Sequence, residues 1–593
     1  MGAMTTQSAF GVTRSFSGRR WLLREASDEA ARTLMRAGDL SPVLARILAG
    51  RGIAESELQD VLNPTLKRLL PEPFNLKDMD KAVARVRAAI ERGEQIAVFG
   101  DYDVDGSSSA ALMHCFLSEI GRPPRIYIPD RMSEGYGPNA PALLALQQEG
   151  ASLVITVDCG AGAVAALTAA RDAGLDVVVL DHHAVETPPP AFAHVNPNQP
   201  GDTSGLHHLC AAGVTFLFLV ALNRELRESG WFAANNIPEP DLRAHLDLVG
   251  LATVCDVVPL IGVNRAFVRA GLARLGQLER PGIAALATIA EANAPFTPYH
   301  LGFVFGPRIN AGGRVGRCSL GVELLTAMAD TAAFPLGEML DRHNRERQAI
   351  EAVILEEAMA MAARQDNQPF VLAANADWHA GVVGIVAGRL KDRFNKPAFV
   401  VGFENETGRG SARSVAGVDL GAIIRAARDQ GHLEAGGGHA MAAGFSVTKN
   451  KLDAFRAFLE TRLSEVTDAI SASRDLKLDA AISPSGATPS LVSEIARAGP
   501  FGAGNAEPLV AAPDVRVAFA DVVGKDHVRL RLIGGDGARL DAIAFRAATT
   551  PLGEGLLASR GKLIHAAGRL RADEWQGRAR VQLHLEDAAA AGV

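Results

Sequence analysis

Gln95-Ile-Ala-Val-Phe-Gly100 runs directly into Asp101-Tyr-Asp-Val-Asp-Gly106. The first half is a short apolar run ending in glycine, which reads as a buried strand, and helical spacing follows over 108–120. The same unit recurs twice. Leu153-Val-Ile-Thr-Val157 leads into Asp158-Cys159-Gly160, and Val177-Val-Val-Leu180 leads into Asp181-His182-His183. Helical patterns over 140–149 and 161–173 lie between the runs. Strand, turn, helix, strand is the pattern of a parallel α/β sheet. In such sheets ligands collect outside the carboxyl ends of the strands. A fourth aspartate, Asp256, sits in Thr253-Val-Cys-Asp-Val-Val-Pro259.

Alternating carboxylates repel one another, and a divalent cation removes that penalty. The D-x-D-x-D-G spacing also opens a Ca²⁺ loop of the EF-hand kind. That loop needs a glutamate at its twelfth position and a preceding helix; here Leu112 holds the place and a strand precedes it. A solvated acidic turn or a helix N-cap accounts for any one of these aspartates. It does not account for acids and imidazoles gathered at successive strand ends. Carboxylate with imidazole favours Mn²⁺, Mg²⁺, Fe²⁺ or Zn²⁺ over Ca²⁺. Two such ions about 3.5–4 Å apart would clamp a phosphoryl group and generate a hydroxide nucleophile. Cys159 and Cys255, beside these candidates, read as small buried hydrophobes.

The rest of the 593-residue chain bounds the function. With 48% hydrophobic and 21% charged residues it is a globular chain of several domains. A net charge of −7 excludes nucleic-acid binding by bulk charge, though not a local basic groove. Five scattered cysteines with no C-x-x-C pair point to free thiols in a reducing compartment. The longest apolar run, Ala211 to Leu222, is too short to span a bilayer. The arginine-rich start lacks a signal-peptide core. A cytoplasmic protein is expected.

Residues 1–75, with breakers at Pro64, Pro71 and Pro73, read as an extension packing on a catalytic domain over 76–335. Leu336 to about Arg364 reads as one helix, polar all round at 341–348, which suits a bridge between domains. Residues 366–470 look like a second α/β unit, with strands at Phe370–Ala374 and Ala398–Gly402 and a helix over Gly381–Leu390. Residues 471–593 carry short alternating segments and turn signals such as Gly534-Gly-Asp-Gly537, an all-β barrel or sandwich. Residues 511–593 hold 12 Lys+Arg against 10 Asp+Glu, a slight excess of positive charge for an anionic partner.

The motifs around Asp181-His182-His183 resemble the DHH phosphoesterase superfamily, and within it the RecJ family of single-strand-specific 5′→3′ DNA exonucleases. Gly100–Gly106, Val157–Gly160 and Thr253–Pro259 resemble its motifs. So do Glu134-Gly-Tyr-Gly137, Pro307-Arg-Ile-Asn-Ala-Gly-Gly-Arg314, Trp378 to Leu390, and Gly436-Gly-Gly-His-Ala-Met-Ala-Ala-Gly444. The family more often has alanine where Val104 stands. The resemblance runs from about residue 80 to 510. It implies a DHH domain and a second α/β (DHHA1) domain joined by a long helix. By position, it also implies a C-terminal oligonucleotide-binding (OB-like) barrel. It implies two Mn²⁺ or Mg²⁺ ions. Asp103 and Asp158 would hold one, and Asp105, Asp158, His182 and Asp256 the other. Asp101 would lie beside them, and His183 near the scissile phosphate.

The second unit makes physical sense beside this. Gly436, Gly437 and Gly438 leave backbone N–H groups unobstructed, and His439 adds an imidazole, as a phosphate cradle requires. Ser411, Arg413 and Ser414 are its companions. Arg308 and Arg314 can each fork onto a phosphate, with Asn310 between them. Tyr136 either stacks on a base or closes its turn. His379 is divided between a site role and packing.

The expected function is hydrolysis of single-stranded DNA to 5′-mononucleotides in recombination and repair. The alternative is a DHH-family phosphodiesterase for short oligonucleotides or cyclic dinucleotides, which would have no use for the β domain. A metal-poor strand-binding relative is a third reading, and the intact acid and imidazole set speaks against it. The resemblance admits a single-strand-binding protein and a helicase as partners. No membrane is expected, and a monomer is the default.

Overall fold

The computed structural model describes residues 7–592 apart from 132, 366, 468–469, 471–473 and 576–577. The chain forms two compact units. One comprises Thr65–Val466 with Gly502–Gly504; the other comprises the segment up to Pro64, Thr467–Phe501 and Asn505 onward.

The first unit is built on a five-stranded sheet. Its strands are β1 (Ile96–Gly100), β2 (Arg125–Tyr127), β3 (Leu153–Val157), β4 (Asp176–Leu180) and β5 (Ala193–Val195). They lie in the order β2-β1-β3-β4-β5, all parallel. β1 and β3 are buried along their whole length, which is why they read as unbroken apolar runs rather than alternating ones. The register sets the site: Gly100 pairs with Val157, and Val157 with Leu180. Asp101, Asp158 and Asp181 therefore leave one edge of the sheet at one level.

Helices α1 (Met79–Arg92), α2 (Val104–Glu119), α3 (Ala211–Glu228) and α4 (Leu246–Cys255) pack around this sheet. The apolar run noted in the sequence is the first part of α3, a core helix. Among the described residues, no helix is long and apolar enough to cross a membrane. A π-helical turn, His300–Phe305, leads without interruption into α5 (Gly306–Val315).

Helix α6, Asp330–Ala363, is longer than expected at 34 residues. At about 1.5 Å per residue it spans about 50 Å. It begins before the expected Leu336, and Pro335 lies inside it between the buried Ala333 and Gly337. Its polar middle also differs from expectation. Asp341, Asn344, Arg347 and Glu351 are buried rather than solvated. Arg308 and Arg345 hold Asp341, and Glu351 holds Arg347 and Arg389. Buried charge is tolerated there because each group is paired.

The second α/β sheet has β6 (Val371–Asn375), β7 (Ala398–Glu404), β8 (Thr407–Arg413), β9 (Ala435–Gly438) and β10 (Ala442–Thr448). Its order is β9-β10-β8-β7-β6, with only β6 and β7 parallel. Helix α7 (Val383–Phe394) covers it and meets the later part of α6.

The second unit contains β11 (Val510–Val523), β12 (His527–Ile533), β13 (Arg539–Ala544), β14 (Leu563–Trp575) and β15 (Arg578–Ala590). Each strand pairs with the next in space, and β11 also pairs with β14. That last pairing closes a five-stranded barrel and decides between barrel and sandwich. The expectation that residues 1–75 pack on the catalytic domain is corrected. Residues 7–64 pack with the barrel unit, and only 65–75 stay with the catalytic one. Trp21–Leu23 pairs in parallel with Leu476–Leu478, and Trp21 Nε1 donates to Asp587 Oδ2 at 2.9 Å. The arginines of this segment find acids there: Arg24 and Arg51 both pair with Asp479.

Candidate active site

The aspartate cluster is fixed by backbone donors. Asp103 caps α2, its Oδ1 accepting from Asp105 N at 2.9 Å and Gly106 N at 3.0 Å. Gly106 is required there, since a Cβ would lie 2.5 Å from the Asp101 carbonyl oxygen. Both oxygens of Asp105 accept from the start of α3, Ala211 N at 2.7 Å and Ala212 N at 2.8 Å. A carboxylate is favoured at that helix end. Asn310 Oδ1 accepts from Val104 N at 3.1 Å and ties α5 to the same loop.

Asp158 stands directly after β3 at φ +60, in the left-handed region that non-glycine residues rarely occupy. Asp256 does not follow a strand. It caps the C-terminal end of α4, and Val257 after it has φ +59, uncommon for a β-branched residue. Such backbone gathers where neighbouring structure forces side chains into one place.

The cluster is tight. His182 Nε2 lies 3.5 Å from Asp158, 3.6 Å from Asp256 and 3.8 Å from Asp105. Three groups have candidate ligand atoms all within 4.8 Å of one another: Asp101, Asp103 and Asp158; Asp105, His182 and Asp256; Asp158, His182 and His183. Asp101 Oδ1, His182 Nε2 and Asp256 Oδ2 are buried with no hydrogen-bond partner. Burial, then the neighbouring carboxylates, raises Asp101, Asp158 and Asp256 well above the usual carboxylate range. The same causes push Asp105 up to about 7. Burial and the adjacent His183 lower His182 to about 4, leaving it a neutral donor. Buried acids with orphaned oxygens, beside a neutral imidazole, are a donor set that fits divalent metal ions.

Asp181, which the sequence reading left without a role, is the organiser of the histidine pair. It accepts from Ala161 N, His182 N and His183 N, and from His183 Nδ1 at 2.7 Å. Burial opposes ionisation of both partners, yet the pairing holds Asp181 below the usual carboxylate range and raises His183 to about 9. Asn198 Nδ2 donates to His182 O at 2.6 Å, and Asn196 Nδ2 to His183 O at 2.8 Å. Only the Asp-His-His triplet itself could have signalled the first; nothing local signals the asparagines.

A cationic group faces this cluster. His439 stacks on His183 with ring centroids 5.8 Å apart. Arg413 donates to Ser411 Oγ and to Ala412 O, both at 2.9 Å, and Arg314 donates to Gly381 O at 2.9 Å. Burial lowers both guanidinium groups, and Arg131, Arg347 and Arg413 help bring Arg314 to about 10. Guanidiniums gathered on neutral acceptors form a place for an anion. Arg131, over the Tyr102 ring at 5.1 Å, was missed by sequence reasoning because it lies outside the motifs. Ser414 is buried and donates to Val418 O, so it braces its turn. His379 accepts from Gly381 N at 3.1 Å beside Arg314.

Three expectations change. Gly436, Gly437 and Gly438 lie in the edge strand β9 rather than a loop, and His439 begins the turn after it. Arg308 is committed to Asp341 at 3.0 Å and to Val304 O at 2.7 Å, so it is not free to fork onto a phosphate. Tyr136 donates to the Asp158 carbonyl at 3.1 Å and meets His183 edge-on, which places it at the cluster by its hydroxyl.

Comparison with known proteins agrees with this architecture. Residues 95–253 match the DHH family N-terminal domain, 367–465 the DHHA1 domain and 478–587 the RecJ OB domain. The single-stranded-DNA-specific exonuclease RecJ of Dickeya dadantii is 35% identical over 92% of this chain and 96% of its own. The Bacillus subtilis RecJ is 33% identical over 96% of this chain and 71% of its own. The crystal structure of Thermus thermophilus RecJ in complex with Mn²⁺ superposes with a TM-score of 0.80 at 28% identity, covering 96% of this chain and 79% of that one. Fold, domain series and sequence together make this chain a member of the RecJ family.

Proposed function

We propose that this chain is a single-stranded-DNA exonuclease that hydrolyses phosphodiester bonds with two divalent ions, Mn²⁺ or Mg²⁺. The observation that carries the reading is the pairing of opposites. Five clustered aspartates, two of them (Asp101 and Asp256) with a buried oxygen that has no partner, face guanidiniums held only by neutral groups. A phosphodiester with its metal ions complements both.

Asp101, Asp103 and Asp158 would hold one ion. Asp105, His182 and Asp256 would hold the other, with Asp158 shared. When bound, the ions supply a hydroxide at neutral pH and polarise the phosphoryl oxygen. The remaining residues position and stabilise. Asp105 and Asp103, locked by helix-start N–H groups, keep the ligand set rigid. His183, kept cationic by Asp181, stands beside Asp158 and stabilises charge on the scissile phosphate. Arg314, Arg413, Ser411 and His439 bind a neighbouring phosphate, with Gly437 and Gly438 leaving backbone room for it. Tyr136 holds the loop after β3.

The reading extends to attack from the 5′ end, release of 5′-mononucleotides, and a monomer acting in cytoplasmic DNA recombination and repair. A single-strand-binding protein and a helicase are its proposed partners. The barrel supports a long strand over a dinucleotide, for which it would be superfluous.

The test is a degradation assay with Mn²⁺. The substrates are an oligonucleotide labelled at either end, its blunt duplex and a dinucleotide. Rapid release of mononucleotide from the 5′ label with the duplex spared is expected. Hydrolysis of the dinucleotide alone would move the protein to short substrates.

A further inference from the structure

Two aromatic rings next to the site have no place in the account so far. Tyr299 and Phe303 are 63% and 70% exposed, yet stack on each other with centroids 5.2 Å apart and planes at 24°. Exposed large aromatics that are pre-stacked, rather than tucked down, present a flat apolar face to a ligand.

Their position says which ligand. The π-helical turn that carries them packs on the end of α4 that bears Asp256. Cys255 Sγ donates to Leu301 O at 3.3 Å, and a Cβ on Gly306 would lie 2.5 Å from Cys255 Sγ. The turn continues into α5, on which Pro307, Asn310 and Arg314 follow one another by three and four residues. That spacing runs along one face of a helix. Asn310 touches the aspartate loop at Val104, and Arg314 belongs to the cationic group. The face thus leads from the aromatic pair to the site. Seven residues that start in the π-helical turn, at no more than about 1.5 Å each, put Phe303 within about 10 Å of Asn310 along the axis. That is about three stacked nucleotides at about 3.4 Å apiece. Arg308 anchors beside the pair through Val304 O, and with Arg345 it shares the single carboxylate of Asp341.

We propose that Tyr299 and Phe303 form a base-stacking platform for the DNA strand, about three nucleotides from the cleaved bond. The proposal rests on the single-strand reading above. Aromatic stacking is sequence-tolerant because every base has a π-face, as a non-selective exonuclease needs.

The experiment measures KM and kcat on a single-stranded oligonucleotide and on the same strand with abasic sites at the second to fourth nucleotides. The proteins are wild type, Tyr299→Ala/Phe303→Ala, Phe303→Leu and Phe303→Trp. The platform predicts that the double variant raises KM on the normal strand about tenfold with little change in kcat. It predicts that the penalty vanishes on the abasic strand. Phe303→Leu, which keeps apolar bulk without a π-face, should behave like the alanine variant, and Phe303→Trp should restore binding. An unchanged KM on the normal strand, as rings serving a protein partner would give, overturns the proposal. So does an equal loss on both strands. A wild-type protein that leaves the normal strand intact overturns the single-strand reading itself and the platform with it.

Discussion

The middle of α6 and the ends of β1, β3 and β4 both bury charged side chains, and they treat them in opposite ways. On α6, Asp341 has two arginines, and Arg347 has Asn344 and Glu351. At the strand ends and the adjoining end of α4, Asp101, His182 and Asp256 each keep a buried polar atom without a partner. A buried ion is costly unless paired. The helix meets that cost within the chain and so is structural. The strand ends leave it open to ligands from outside.

Asp158→Ala tests the contrast most severely. Removing the carboxylate shared by the proposed ligand groups should lower strand hydrolysis by at least about a thousandfold. The metal-free fold should lose no more than about 1 kcal/mol, since alanine sits less easily than aspartate at φ +60 while a repulsive charge has gone; thermal melting in chelator reads this. A strongly destabilised metal-free variant would mean that the cluster is structural after all.

Glu351→Ala should do the reverse. It strands Arg347 in the interior and should cost about 3 kcal/mol of stability by denaturant titration. Divalent-metal affinity should stay as in the wild type.

Metal addition sharpens the same division. Saturating Mn²⁺ at about 100 times its Kd should stabilise the wild type by about 2.7 kcal/mol for each ion bound, or about 5 kcal/mol for two. Glu351→Ala should gain the same increment from its lower starting point, and Asp158→Ala should gain little of it.

The smallest expected effect is at Asn198, which holds the His182 carbonyl without facing a ligand. Asn198→Ala should reduce activity about tenfold, as loss of an outer support around a metal site does. Titrating Mn²⁺ against rate should show the loss as weaker metal affinity.

Much of this was readable from the chain itself. β1, β3 and β4 are apolar runs each closed by an acid, so periodicity alone placed Asp101, Asp158 and Asp181 at one edge. Asp103, Asp105 and His182 came with them. Long-range partners stayed hidden. Thr253-Val-Cys-Asp256 carries no local sign of the helix end that places Asp256, a helix that packs against α2 and α3. Arg308 looks free because Asp341 is 33 residues away. The segment ending at Pro64 gave no sign of packing with the barrel, since Arg51 and Asp479 meet across 428 residues. Gly436–Gly438 suggested a loop, because glycine runs seldom form strands; here β10 supplies the pairing.

The most direct measurement of the central claim is Mn²⁺ binding by titration calorimetry, run in parallel with hydrolysis of a 5′-labelled single strand on wild type and Asp158→Asn. Two ions should bind each wild-type chain, with metal binding and hydrolysis lost together in the variant. Full hydrolysis by Asp158→Asn, or a wild-type protein that cleaves the strand without binding metal, would contradict it.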